Sequence, residues 1–96
     1  MKIIKLLPQT GVFAENKDIA RDIRINRIIP ALESKKEVVI DFIVINAATQ
    51  SFVHALISDL ISKRGVEVLD KIYFKNCSET VKKMISIVAE YIQESE

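Results

Sequence analysis

Glu37-Val38-Val39-Ile40-Asp41-Phe42-Ile43-Val44-Ile45 is the stretch on which the fold turns. It is apolar at both alternating sets of positions, and branched Val and Ile dominate it. A strand with one face in water alternates apolar with polar side chains. A run that is apolar on both faces belongs in the centre of an α/β sheet, covered from both sides. The run therefore predicts a central strand over Val38–Val44 with parallel neighbours.

Working outward from it, Asn46-Ala47-Ala48-Thr49-Gln50 reads as a loop leading into a helix over Ser51–Arg64. Phe52, Val53, Leu56, Ile57, Leu60 and Ile61 recur at helical spacing and point inward, leaving His54, Ser58, Asp59 and Ser62 outside. Gly65 supplies the left-handed stop. Asp70–Lys75 is a third strand. Asn76, with Glu79 three residues on, imitates a capping box for a last helix with Val81, Met84, Ile85, Val88 and Ile92 inward. Upstream, Lys2–Leu7 is β-prone, and Pro8 with Thr10-Gly11 signals a turn. Val12-Phe13 is a brief strand or packed loop. Asn16–Ser34 reads as a helix capped by Asn16 or Asp18, with a kink or break expected at Pro30, which has no N–H to donate. The order strand, helix, strand, helix, strand, helix predicts an α/β fold: a small, mostly parallel sheet with right-handed crossovers, helices on at least one face and the other partly open, in one domain over residues 1–96.

Composition narrows the function. The chain has 96 residues, 49% apolar and 28% charged, with a formal net charge of +1, one Cys and one His. No internal disulfide is available, and no usual zinc set can be assembled from one His and one Cys. Gly11 and Gly65 stand alone, so there is no glycine-rich phosphate loop and no nucleotide or other cofactor is expected. The near-neutral charge and the interleaving of Lys17, Arg21, Arg24 and Arg27 with Asp18 and Asp22 argue for a solvated helix face rather than a nucleic-acid stripe. No apolar run reaches the ~18 residues of a membrane span. With no signal-like leader at the N-terminus, a cytoplasmic location is expected. A hydrolytic triad would have to run through His54, which lacks a pocket and an oxyanion hole, so no enzyme is expected.

Open α/β sheets gather their sites at the carboxyl ends of the strands. There the Asn46–Ser51 loop leaves the most buried strand and meets a helix N-terminus, whose free N–H groups favour an anion or a phosphorylated hydroxyl. Thr49 and Ser51 read equally as plain helix caps. Asp41 reads as a carboxylate satisfied by a neighbouring loop, and Cys77 as a half-buried structural thiol.

The run Val38-Val39-Ile40-Asp41-Phe42, followed by Thr49-Gln50-Ser51-Phe52 opening an apolar helix, resembles the STAS-like domains of unknown function, relatives of the anti-sigma-factor antagonists. Ile28-Ile29-Pro30-Ala31-Leu32 before the Asp-Phe strand, and Ile72–Asn76 with Ser78–Val81, agree with that family. The resemblance implies a non-catalytic regulatory domain that binds a protein partner, a histidine-kinase-like ATPase. In the antagonists a Ser at the start of this helix is phosphorylated by such a partner, which breaks the complex. Gln50 falls in the column of that Ser and Ser51 in the next. The expected contact surface is Asn46, Thr49, Gln50 and Ser51 with the exposed face of the following helix, and Ser51 or Thr49 is the candidate phosphate acceptor. The alternative is a small structural or homodimeric subunit with Ile19, Ile23 or Tyr91 in the contact.

Overall fold

Three parallel strands, β1 (Lys2–Lys5), β3 (Val38–Asp41) and β5 (Ile72–Lys75), form the main sheet in the order β1-β3-β5. The computed structural model describes residues 1–94, so the last two residues of the expected domain lie outside the described ones. A four-residue helix, α1 (Leu7–Thr10), follows β1 where a turn was expected. Two short strands, β2 (Phe13–Ala14) and β4 (Ala47–Ala48), pair in parallel beyond the main sheet's carboxyl edge. Val12-Phe13 thus contributes a brief strand, and the loop expected over residues 46–50 contains β4.

The first long helix begins at α2 (Lys17–Ile23), capped by Asn16, which accepts from Asp18 N–H at 2.8 Å. It continues through a π-helical turn (Arg24–Ile28) into α3 (Ile29–Glu33). Pro30 thus enters without breaking the element. The turn ahead of it is one residue wider, with Ile29 N–H reaching back to Arg24 C=O. Arg24 stands four residues past Ala20 and next to Ile23, on the buried face of α2, and so points inward. Its Nη1 donates to Ala55 C=O at 2.6 Å and its Nη2 pairs with Asp59 at 3.2 Å. Arg24 is therefore buried, not part of a solvated face.

α4 (Gln50–Arg64) buries all six residues expected inward and stops at Gly65, whose φ is 83°. A 3-10 turn (Val66–Lys71) leads into β5, which starts two residues later than the sequence suggests. α5 (Glu79–Glu94) is capped by Ser78, whose hydroxyl accepts from Val81 N–H at 3.2 Å, and not by Asn76. Asn76 has φ 57° and turns its amide to Asp41 instead.

Two expectations about the central run are corrected. It ends at Asp41, because the Asp41 carboxylate accepts the N–H of Ile43 and bends the chain. Phe42 C=O then accepts Ile45 N–H at 3.0 Å, closing a tight turn with Val44 at its third position and φ 68°. Turns of that type place a positive φ there. The sheet, moreover, has the described helices on one face only, the partly open arrangement expected of so small a sheet, so the central strand is not covered from both sides. Right-handed crossovers laid down in one direction, β1 to β3 to β5, deliver every helix to the same side. Ile4, Val38, Ile40 and Ile72 join the helices in one core, whereas Val39, although buried, lies outside that cluster.

Candidate functional site

The carboxyl ends of β3, β4 and β5 converge on a single pole. Asp41, buried at the end of β3, receives Ile43 N–H and the Asn76 amide, each at 3.0 Å. Both partners hold the strand end in place, so this carboxylate is a structural clasp. Ser78 donates its hydroxyl to Asn46 C=O at 3.0 Å, and Asn46 N–H reaches Val12 C=O at 2.8 Å. The loops after β3 and β5 are thereby tied to β2, and they fix how the chain enters α4.

The candidate residues separate in role. Thr49 is the α4 N-cap: half-buried, it accepts Phe52 N–H at 3.1 Å and donates its own N–H to Ala14 C=O. A capping oxygen in that position satisfies a helix N–H that would otherwise be orphaned. Gln50 and Ser51, in the first turn, are exposed, as is Asn46. Ser51 and Gln50 line a shallow depression of about 470 Å³ with Lys17, His54, Ala55 and Tyr91. Lys17 opens α2, so two helix N-termini border this hollow, and the His54 ring meets Tyr91 edge-on with centroids 6.5 Å apart. Thr49 and Asn46 do not line it. The arrangement suits a negatively charged group beside Ser51. Among the described residues, no carboxylate lines the hollow to orient His54 as a general base. Among the described residues, no group of three or more His, Cys, Asp or Glu is placed to hold a metal ion.

Exposed apolar side chains at this pole escaped the sequence reading. Ile43 is 43% and Val44 61% exposed, and Val12 and Phe13 stand out of the neighbouring β2 segment. In the sequence Ile43 and Val44 look like strand core. The only local signal is Asp41, whose side chain can cap a turn two residues on. Cys77 is half-buried, and burial pushes its thiol above the usual range despite the nearby Lys82 ammonium. A thiol so raised is protonated at neutral pH and a poor nucleophile.

With this geometry the chain was compared with known proteins. The model of a family described as STAS-like domain of unknown function (DUF4325) matches residues 20–82, more than half of the chain. The chain belongs to that family. No curated protein and no solved structure matches. The match runs from α2 to the start of α5, so it takes in the π turn, the β3 clasp and the α4 N-terminus of this STAS-like domain. Among the described residues, no helix of the STAS-like domain is long and apolar enough to cross a membrane.

Proposed function

We propose that this STAS-like domain is a non-catalytic regulatory module that docks a protein partner on the pole at the strands' carboxyl ends. Ile43 and Val44 are the apolar contacts, and Asn46, Gln50 and Ser51 form the polar rim. The observation that carries the reading is Val44. A branched side chain, 61% exposed, is held out to solvent on a left-handed backbone beside the α4 N-terminus. Left-handed geometry is costly for a branched residue, and such strain concentrates where chains bind or switch.

The partner class is a histidine-kinase-like ATPase, on the family resemblance in the α4 entry sequence. Ser51 is the acceptor that fits phosphate transfer best. Its hydroxyl is exposed beside Lys17 and His54, whereas the Thr49 oxygen is engaged as a cap. A phosphate there adds about −1.5 to −2 charge to the contact surface, enough to alter a partner's fit.

The test is calorimetric titration of the domain against a histidine-kinase-like ATPase from the same host. Val44→Asp and Ser51→Asp should fold with unchanged thermal midpoints and lose affinity, Val44→Asp by more. Incubation with ATP should add phosphate to Ser51, read by mass spectrometry. Undiminished binding by both folded variants would remove this pole from the interface. Binding without phosphate transfer would leave a docking module that has no phosphorylation step.

A further inference from the structure

The face of the main sheet turned away from the helices carries an inference independent of the pole. Val39 is the one buried apolar side chain, among the described residues, that lies outside the core cluster. In register beside it stand Ile3 on β1, 51% exposed, and Tyr73 on β5, 45% exposed. The three make an apolar band across all three strands, outside the core that the described helices form with the opposite face.

Charge on this face is polarised along the strands. Glu37, on the same alternation as Val39, marks the amino end and accepts the Tyr73 hydroxyl at 2.8 Å. Lys5 and Lys75, both exposed, mark the carboxyl end. They flank Asp41 in register, but its carboxylate is turned to Ile43 and Asn76 and forms no ion pair with either lysine.

We propose that this face is the contact between two copies of the chain, stacked with strands antiparallel about a two-fold axis that lies between the two sheets, perpendicular to the strands and level with Val39. An isologous contact must be complementary to itself, and this face is. The band meets the band, and Glu37 of each copy lies over the Lys5–Lys75 end of the other. Strands stacked parallel would instead set Glu37 against Glu37 and lysines against lysines. Three four-residue strands give far less than the ~800 Å² per partner of a standard interface. The dimer is accordingly weak and concentration-dependent.

Sedimentation velocity over a concentration series of the full chain tests this. The unaltered protein should move from monomer toward dimer as concentration rises. Ile3→Asp, at a half-exposed position, should keep its thermal midpoint and raise the dimer dissociation constant at least ~tenfold. Two charge variants test the arrangement without removing an apolar side chain of the band. Glu37→Lys alone, and Lys5→Glu with Lys75→Glu alone, should each self-associate poorly, and their mixture should regain the dimer. A chain that stays monomeric at every concentration, or a dimer indifferent to Ile3→Asp, would overturn the proposal. A mixture of the charge variants that fails to associate would overturn the antiparallel arrangement.

Discussion

The two faces of the β1-β3-β5 sheet are made of alternate residues of the same three strands, yet they do different physical work. On the helix side Ile4, Val38, Ile40 and Ile72 are 4% exposed or less and pack into one continuous core. On the other side Ile3 and Tyr73 remain about half exposed, and of the three apolar side chains Val39 alone, screened between them, is buried. An apolar side chain on the first face contributes stability, because folding removes it from water. On the second face much of the same surface is still wet in the folded chain, so its burial remains available to a partner.

Paired truncations test this contrast most strongly. Ile40→Ala, which opens a cavity under the helices, should cost ~2–5 kcal/mol in urea unfolding. Ile3→Ala in the same assay should stay within ~0.5 kcal/mol, the range of ordinary surface changes. Comparable losses at the two positions would mean that the second face is also packed in the monomer.

Asp41 qualifies the contrast, since it belongs to the uncovered face and is nonetheless 5% exposed. Asp41→Ala orphans Ile43 N–H and the Asn76 amide together, and should cost ~1–3 kcal/mol in the same unfolding assay. Amide exchange should quicken over residues 42–46, whose turn the carboxylate holds. A neutral substitution would show that this end of the face is as expendable as Ile3.

Val44→Gly should act in the opposite direction. Relief of a left-handed Val is worth ~1–2 kcal/mol, and the extra freedom of Gly in the unfolded chain takes back ~0.5–1 kcal/mol. The net expectation is a thermal midpoint unchanged or slightly raised, with partner binding weakened. A clear loss of stability would mean that the Val44 side chain packs more than its exposure suggests.

The smallest effect is a titration. Glu37 accepts the Tyr73 hydroxyl and repels its phenolate, which raises the Tyr73 pKa above the ordinary phenol value. A group whose folded pKa is raised lends stability that is fully present below the unfolded value and lost as pH climbs through the folded one. That contribution should fade above the usual phenol range, and Glu37→Gln should move the Tyr73 transition back down in an absorbance titration. A transition unmoved by Glu37→Gln would separate the two side chains in solution.

The sequence made the alternation of elements legible because each signal was local. The Phe52–Ile61 stripe and the Gly65 stop need only helical period and backbone sterics, and both appear as read; of the two caps offered, Asn16 and Asp18, the structure uses Asn16. The two helix-N-terminal hydroxyls were legible as a pair but not as individuals. Which of them caps depends on where the first helical turn begins, and the structure gives that place to Thr49 and leaves Ser51 exposed. Arg24 was misread for a similar reason. Among alternating charges it looks solvated, yet it shares the buried face of α2 with Ala20 and Ile23 and donates to the Ala55 carbonyl of α4.

By itself the sequence determined the β-α-β-α-β-α order, the buried helix faces and the family to which the chain belongs, all of them matters of neighbouring residues and their spacing. Only the tertiary structure decided where the central strand stops and which of its faces is covered. Val38–Ile40 and Phe42–Ile45 are equally apolar, and what separates them is the Asp41 carboxylate, fixed by Ile43 N–H and by Asn76 from the far end of β5. Covering one face rather than two follows from strand order: crossovers of one hand, taken in one direction, place every helix on the same side.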